Sequence, residues 1–262
     1  ENSQFFVYEC DEFDRNFLHF SPEISVITSV DYDHPDTYPT EKSYLEAFHE
    51  FGEKSKKIIV WQENSTIFNP KNLIVLNSVD QSITIPGEHN RKNATLIIEA
   101  LKYMSTSANK SEIYQAINSF PGSGRRFEKL ADNLYSDYGH HPIEIRATLQ
   151  MARELSDQVV LVYQPHQNVR QHEIIDQYSA DIFHDADEVY WLPTYLTREN
   201  PDLPILTPQQ LAKNIDPEKL HFANLDDNLW QNITTAQKSG KLVLCMGAGT
   251  IDGWIREQLA KD

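Results

Sequence analysis

The sequence has few cysteines, no long apolar run and no excess of basic residues. Its 262 residues include only two cysteines, and both lie in apolar, strand-like stretches, so we expect two buried thiols and no disulfide. No run approaches the roughly 20 apolar residues that a membrane span needs. The formal net charge of −16 argues against a nucleic acid or another partner held through a phosphate backbone. These absences point to a globular protein that binds neither membranes nor nucleic acids.

Two sequence signals that would aid classification are also missing. The sequence contains no Gly-x-x-x-x-Gly-Lys-Ser/Thr loop, so it offers no recognisable cradle for a triphosphate. No charged-then-apolar leader opens the chain, and a cytoplasmic location is therefore the default expectation. The first residue is Glu1 and not methionine. This predicts that the natural protein has residues upstream of those given.

Strand-like and helix-like segments alternate along the chain, which predicts an α/β fold with mostly parallel sheets covered by helices. The predicted strands are FFVYEC, ISVITSV, KKIIVWQ, LIVLN, NLYSDYG, QVVLVYQPH, EVYWLP and KLVLCMGAG. The predicted helices are SYLEAFHEFGEK, NATLIIEALKYM, KSEIYQAINSF, PIEIRATLQMARELS, QHEIIDQYSADIF and IDGWIREQLAK. The Pro-Gly-Ser-Gly stretch at 121–124 interrupts this pattern. It predicts two domains, 1–121 and 122–262.

Four polar clusters directly follow predicted strands, at the sheet edge where α/β proteins bind ligands. They are ECDEFD, DYDHPD, DYGHH and QPH. The first cluster contains Glu9 and further acidic residues. In the second cluster, His34 has Asp31, Asp33 and Asp36 as its sequence neighbours. Carboxylate oxygens suit Mg²⁺, and a histidine can complete the shell when phosphates supply the other ligands. The alternative is that these residues are helix caps and solvated loop charges.

Amide and guanidinium side chains form two further candidate groups. Asn90 and Asn93 share one face of a predicted helix and could read the edge of a purine, although one of them could equally cap the helix. Arg125 and Arg126 follow a flexible Gly-Ser-Gly stretch, and guanidinium groups suit phosphate oxygens. A surface ion pair would explain the two arginines equally well.

The second half of the chain contributes two more candidate loops. His166 follows a buried-looking strand, with Arg170 four residues later, and the pair could hold a carboxylate or be structural. Gly247 and Gly249 in GAGTID resemble part of a dinucleotide-binding fingerprint, but the third glycine is missing. A tight turn between a strand and a helix is sufficient to explain that loop.

Seven of these motifs, taken together and in order, resemble the Mur ligase family. They are YECDEFDRNFL, TSVDYDHPDTY, GEHNRKNA, FPGSGRRFE, SDYGHHPIEIRATL, YQPHQNVR and MGAGTID. The resemblance implies that residues 1–121 are part of a central ATPase domain whose phosphate loop lies upstream. It also implies that residues 122–262 are a C-terminal, Rossmann-like domain that binds an amino acid.

The resemblance assigns roles to individual residues, which we list by the group they would bind. Glu9 and His34 would hold Mg²⁺ and, with Arg126, act in catalysis. For ATP, Asn90 and Asn93 would bind the adenine, Arg125 and Arg126 would contact the phosphates, and Asp137 would lie near the ribose. The amino-acid pocket would be lined by Tyr138, His141, His166 and Arg170. His140 would pack against the loop. Gln167 replaces an arginine that family members of this type carry after QPH.

The pairing of DYGHHP with QPH is typical of the family member that adds L-alanine to UDP-N-acetylmuramate. The resemblance implies that the muramoyl carboxylate attacks the γ-phosphate of ATP and that the amine then displaces phosphate. Three alternatives remain open at this point. They are a recycling ligase that attaches a ready-made peptide to the same sugar, a catalytically silent binding module of the same family, and a metal-dependent hydrolase. The oligomeric state is not predicted.

Overall fold

The computed structural model describes residues 5–34, 37–104 and 108–261. Their contacts divide the chain into two compact units, Glu1–Ile85 with Asn90–Ser119 and Pro86–His89 with Phe120–Asp262. Within the described ranges, no helix has the length and apolar composition of a membrane span. The assignment of residues 1–121 to an ATPase domain and of 122–262 to an amino-acid-binding domain stays a prediction.

The first unit contains a three-stranded parallel sheet with the order β1-β2-β3. The strands are β1 (Ser25–Ile27), β2 (Ile58–Trp61) and β3 (Leu73–Leu76), and the helices are α1 (Glu41–Lys54), α2 (Glu88–Leu101, in this unit from Asn90 onward) and α3 (Lys110–Asn118). Short 3-10 helices span Phe13–His19, Gln62–Ile67 and Pro70–Asn72. One buried cluster includes residues of α1 and of the sheet, and a second includes Ile59 and Trp61 of β2 with Leu96 and Ala100 of α2.

Helix α1 illustrates how the sequence determines local structure in the first unit. The Thr40 side chain accepts a hydrogen bond from the Ser43 N–H at 3.1 Å, and the Ser43 hydroxyl oxygen accepts one from the Thr40 N–H at 3.2 Å, which satisfies two of the N–H groups at the helix start. Tyr44, Phe48 and Phe51 recur at helical spacing and are buried against the core.

The second unit contains a six-stranded sheet with the order β4-β5-β9-β6-β7-β8, in which only the β4–β5 pair is antiparallel. The strands are β4 (Glu128–Ala131), β5 (Leu134–Asp137), β6 (Val159–Tyr163), β7 (Glu188–Trp191), β8 (Leu220–Phe222) and β9 (Leu242–Met246). The helices are α4 (Pro142–Leu155), α5 (Asn168–Ile174), α6 (Pro208–Leu211), α7 (Asp227–Lys238) and α8 (Ile251–Leu259).

The central strands β6 and β9 are buried along their whole length, as expected for parallel strands covered by helices on both faces. One cluster of buried residues contains Leu161 and Leu244, and a separate one contains Val162 and Cys245, so the two faces of the sheet carry separate cores. This confirms the predicted α/β fold with a Rossmann-like second unit. Cys245 is buried and Cys10 is half-buried, and both thiols are free.

Several predicted elements are wrong or incomplete. FFVYEC is not a strand, since residues 5–10 lie outside every helix and strand and the side chains of Phe6 and Val7 are 85% and 86% exposed. An apolar run becomes a strand only where a neighbouring strand completes its hydrogen bonds. QHEIIDQYSADIF is divided into α5 and two 3-10 helices, Ile175–Gln177 and Ala180–Phe183. Strands β4 and β8 and helices α6 and α7 were not predicted.

Candidate functional site

The candidate site of the second unit lies where β5, β9 and β6 end. These strands are parallel neighbours in the sheet, so the loops that follow them meet at one edge. We call residues 138–141 the His140 loop and residues 164–167 the His166 loop. Residues 247–250, after β9, form the glycine loop between them.

Asp137 fixes the start of the His140 loop through both of its carboxylate oxygens. Its Oδ1 accepts a hydrogen bond from the Gly139 N–H and its Oδ2 accepts one from the Phe127 N–H, each at 2.7 Å. Burial raises the pKa of the Asp137 carboxyl, and the two backbone hydrogen bonds offset part of that rise. Since the residue is only 6% exposed, its carboxylate positions the loop. A role near a ribose stays a prediction.

The adjacent histidines are held by the first turn of α4. Glu144 Oε2 accepts hydrogen bonds from the backbone N–H groups of His140 and His141, at 2.9 and 3.1 Å, and the Ile143 N–H donates to His141 Nδ1 at 3.4 Å. Burial alone would raise the pKa of Glu144, but His140, the backbone N–H groups and Arg126 lower it below its usual value. The histidine pair therefore has a defined backbone conformation.

His166 stacks on Tyr195, which follows β7. Their ring centroids lie 5.7 Å apart with an angle of 15° between the planes, and the His166 ring lies 5.8 Å from the His140 ring. The backbones are joined as well, because the Tyr195 N–H donates to Pro165 O at 2.8 Å and the Gln167 N–H donates to Tyr195 O at 2.9 Å. Tyr195 was missed in the sequence, although it follows a strand as the predicted clusters do.

The environment of His166 favours the neutral imidazole. Burial lowers its pKa, and the neighbouring charges of His140 and Arg170 lower it further. Its Nδ1 atom is buried and has no hydrogen-bond partner among the described residues. A buried imidazole nitrogen of this kind can accept or donate a hydrogen bond to a ligand, depending on its tautomer.

Arg170 lies on α5, whose first turn is fixed by Glu199. The carboxylate of Glu199 accepts hydrogen bonds from the N–H groups of Asn168 and Val169 at 2.9 and 3.2 Å. Gln167 precedes the helix with φ +60°, a left-handed conformation that is uncommon for a residue other than glycine. His166 thus lies in the loop directly before α5, and Arg170 lies in the first turn of that helix.

The side chain of Gln164 packs closely against the glycine loop. Gln164 Oε1 accepts a hydrogen bond from the Ile251 N–H at 3.0 Å, at the start of α8, and Gln164 Nε2 donates to Thr250 Oγ1 at 3.2 Å. A Cβ atom on Gly247 would lie 2.5 Å from Gln164 O, and one on Gly249 would lie 2.5 Å from Gln164 Oε1. Close packing therefore explains both glycines, which favours the tight-turn interpretation of GAGTID over a dinucleotide site.

The two candidate arginines have different environments. Arg125 has φ +56°, and its Nη2 donates to Gly247 O at 3.0 Å, while its Nε lies 3.6 Å from Asp252 Oδ2. Arg126 has a side chain that is 57% exposed, with its guanidinium carbon 5.5 Å from the centre of the Tyr138 ring. Arg125 therefore supports the loops, whereas Arg126 is accessible to a ligand.

The structure does not place Glu9 beside His34 in the first unit. Glu9 is exposed and lies outside every helix and strand. His34 Nε2 instead lies 3.7 Å from both Glu12 Oε1 and Asp33 Oδ2. Among residues 5–34, 37–104 and 108–261, no group of three or more His, Cys, Asp or Glu side chains is arranged to hold a metal ion. Asp36 lies outside the described residues.

Asn90 and Asn93 lie in the first two turns of α2, and both are half-buried. Residues three apart on a helix lie on the same face, as the sequence predicted. Lys92 is next to them, with its Nζ 2.5 Å from Glu63 Oε1 and 4.9 Å from the centre of the Trp61 ring. The adenine-binding role of the two amides stays a prediction.

Comparisons with known proteins support the resemblance to the Mur ligases. The family model "Mur ligase, glutamate ligase domain" matches residues 125–249. The curated UDP-N-acetylmuramate–L-alanine ligase of Gloeobacter violaceus is 28% identical over 97% of this chain and 63% of its own length. The ligase of the same name from Lactobacillus helveticus is 29% identical over 96% of this chain and 64% of its own length.

Two solved structures have a similar fold. The UDP-N-acetylmuramate-alanine ligase of Thermotoga maritima has a TM-score of 0.67 and 22% identity, and it covers 93% of this chain and 60% of its own. A pseudomurein peptide ligase type C from Methanothermus fervidus has a TM-score of 0.68 and 14% identity, with 97% and 66% covered. The resemblance to the Mur ligase family is thereby confirmed. The chain spans about 63% of the length of the curated relatives it matches.

Proposed function

Taking the resemblance to the Mur ligases as the premise, we propose that the natural protein is an ATP-dependent ligase that joins L-alanine to UDP-N-acetylmuramate. The curated relatives carry the name of that reaction and match nearly the whole of this chain. A folylpolyglutamate synthase with a similar fold was crystallised with ADP and AMPPCP, at a TM-score of 0.61 and 14% identity. That neighbour supports ATP as the nucleotide.

The observation that carries the proposal is the cluster of side chains at the carboxyl edge of the second sheet. His166 stacks on Tyr195 next to His140, on the segment that also carries Arg170. An amino acid presents a carboxylate, and a guanidinium group is its best-matched partner in proteins. We assign Arg170 to the carboxylate of the incoming amino acid, and Tyr138, His141 and His166 to the remaining walls of the pocket.

The proposed reaction has two steps. The carboxylate of UDP-N-acetylmuramate attacks the γ-phosphorus of ATP, so that an acyl phosphate forms and ADP leaves. The neutral amine of L-alanine then attacks the acyl carbon, the amide bond forms, phosphate leaves and the amine loses a proton. Both reactants of the first step are anions, so positive charge must offset their repulsion. Arg126, which is exposed and stands over Tyr138, is the guanidinium that we assign to this task.

The acidic segment, residues 9–14, and His34 have the donor types that Mg²⁺ accepts. Mg²⁺ usually takes one or two protein ligands and completes its shell with phosphates and water, so a three-residue cluster is not required. When bound, the ion would neutralise charge on the nucleotide phosphates. We retain Glu9 and His34 as its ligands, and Asn90 and Asn93 as the adenine-binding amides. We assign Arg125 and Asp137 an indirect role in nucleotide binding, because each side chain is hydrogen-bonded to the backbone of a neighbouring loop. Arg125 donates to the Gly247 carbonyl oxygen, and Asp137 accepts from the Phe127 N–H.

The experiment that tests this proposal measures phosphate release by the intact gene product. We expect release from ATP only when UDP-N-acetylmuramate and an amino acid are both present, with L-alanine compared against glycine and serine. Omission of either substrate is the matched control. Phosphate release that needs no amino acid would contradict the ligase assignment.

Two outcomes of the same assay would support the alternatives. Turnover with a peptide in place of L-alanine would identify a recycling ligase, and a murein peptide ligase from Psychrobacter arcticus has a related fold with a TM-score of 0.53. Nucleotide binding without turnover under any substrate combination would identify a binding module.

A further inference from the structure

Three buried side chains connect the His140 loop to the His166 loop through the core of the second unit. The hydroxyl of Tyr163 lies 3.1 Å from His140 O and 2.9 Å from the hydroxyl of Tyr178. The Tyr178 hydroxyl lies 2.9 Å from Gln171 Oε1, and Gln171 Nε2 donates to His166 O at 2.9 Å. We call Tyr163, Tyr178 and Gln171 the tyrosine relay.

The relay is shielded from water. All three of its residues are 0% exposed, and the ring of Trp191 lies 5.0 Å from that of Tyr163 and 5.3 Å from that of Tyr178. Burial raises the pKa of both tyrosines, so both hydroxyls keep their hydrogens at neutral pH. Polar groups in such a core must find their partners within the protein.

The orientation of the Gln171 amide follows from its neighbours. The carbonyl oxygen of His166 can only accept a hydrogen bond, so the NH₂ group of Gln171 must face it. The amide oxygen then faces Tyr178 and is also only an acceptor. The relay therefore has an acceptor at each end, the His140 carbonyl on one side and Gln171 Oε1 on the other.

The relay has one hydrogen too few for its contacts. Three oxygen–oxygen contacts lie between the two terminal acceptors, but the two tyrosine hydroxyls supply only two hydrogens. One contact must always lack a hydrogen. The contact between the Tyr163 hydroxyl and His140 O is the longest of the three, so the hydrogen bond there is the weakest. Rotation of the Tyr163 hydroxyl towards Tyr178 is enough to remove the hydrogen from that contact.

We propose that the tyrosine relay positions the His140 loop against the His166 loop, and that its missing hydrogen makes the bond from Tyr163 to the His140 carbonyl the adjustable one. Tyr163, Tyr178 and Gln171 are thus positioning residues for the amino-acid pocket. Their effect on turnover rests on the proposed function, whereas the hydrogen-bond arrangement does not.

The proposal predicts opposite effects for two similar substitutions. In Tyr163→Phe, the His140 carbonyl loses the hydroxyl that reaches it. In Tyr178→Phe, the hydrogen of Tyr163 has no acceptor in the relay except His140 O, so that bond becomes stronger. Two equivalent structural tyrosines would instead change the loop in the same direction. Tyr135→Phe is the matched control, because Tyr135 packs against the same core and its hydroxyl has no hydrogen-bond partner among the described residues.

The measurement is the carbonyl 13C resonance of His140 in the intact gene product. His140 and His141 are the only adjacent histidines in this sequence, so labelling histidine with carbonyl 13C and amide 15N gives one coupled signal for them. Loss of that signal in His141→Gln verifies its assignment. A carbonyl carbon resonates further downfield when its oxygen accepts a stronger hydrogen bond.

We expect an upfield shift in Tyr163→Phe, a downfield shift in Tyr178→Phe and no shift in Tyr135→Phe. If Tyr163→Phe does not fold, Gln171→Met provides the second test, because it removes the competing acceptor and should also shift the signal downfield. Shifts of Tyr163→Phe and Tyr178→Phe in the same direction, or no downfield shift in Tyr178→Phe and Gln171→Met, would overturn the proposal.

The positioning role has its own readout. The KM for the amino acid should rise about fivefold in Tyr163→Phe, the usual effect of one hydrogen bond, with a smaller change in kcat. An unchanged KM would overturn that role. If the wild-type protein shows no amino-acid-dependent turnover, the proposed function fails, and the His140 signal still decides whether the relay exists.

Discussion

The His140 loop of the second unit is held by hydrogen bonds from its backbone to the buried Asp137 and the half-buried Glu144, whereas Glu9 of the first unit is exposed and lies outside every helix and strand. Asp137 and Glu144 each accept two backbone N–H groups and so define the His140 loop. Glu9 is exposed, and His34 is paired with Glu12 and Asp33. Preorganised groups bind without first being ordered. The His140 loop therefore already has a defined conformation, while we expect Glu9 to take up its binding position only when its ligands are present.

The largest effect that we expect concerns Arg170. Arg170→Ala should raise the KM for the amino acid about 100-fold, because a charged hydrogen bond to the carboxylate is lost. The control is Arg146→Ala, since Arg146 is 54% exposed on α4 and pairs with Asp181 at 3.4 Å. Steady-state kinetics of the intact gene product measure both variants. Tight alanine binding in Arg170→Ala would mean that another residue holds the carboxylate.

The glycine loop tests whether the second unit is as closely packed as described. In Gly249→Ala, the new Cβ would lie 2.6 Å from Tyr195 Cβ, and we expect a loss of about 2 kcal/mol in the free energy of unfolding. Gly253→Ala is the control, because its Cβ would meet no atom within 4 Å and alanine favours a helix by up to about 1 kcal/mol. Urea unfolding compares them. Equal stabilities would show that the loop is looser than its contacts imply.

The acidic segment provides the corresponding test in the first unit. Glu9→Gln should raise the Mg²⁺ concentration needed for half-maximal phosphate release about tenfold, since a ligand charge is lost while the shape is kept. Glu12→Gln should have little effect. Titration of Mg²⁺ after removal of bound metal with a chelator measures both. The reverse result would assign the metal to Glu12, which lies beside His34.

The smallest effect concerns pH. Burial, His140 and Arg170 lower the pKa of His166 in the folded state, so its neutral form is favoured there. The neutral His166 therefore contributes fully to the free energy of unfolding above the unfolded-state pKa of about 6.5. This contribution is lost as the pH falls through the lower folded-state pKa of His166. His166→Gln should therefore reduce the loss of stability on acidification, which urea unfolding at a series of pH values measures. Identical pH profiles for wild type and His166→Gln would refute this.

The sequence predicted the parallel sheets and the positions of the polar loops, because apolar runs and strand-to-helix transitions are local signals. It failed where pairing partners decide the structure. FFVYEC has the composition of a strand, yet its side chains are exposed. Tyr163 and Tyr178 are apolar core residues by pattern, and only the folded chain brings their hydroxyls within 2.9 Å of each other. Tyr195 was missed for a different reason, since its neighbours TYLTREN form no recognisable motif.

The most direct test of an amino-acid pocket in the second unit is a titration of histidine-labelled intact protein with L-alanine, in the presence of UDP-N-acetylmuramate and a non-hydrolysable ATP analogue. The imidazole signals of His140 and His166 should move with saturation, while that of the exposed His184 should not. Saturable binding of L-alanine that leaves the His140 and His166 signals unchanged would place the amino acid elsewhere and contradict the account.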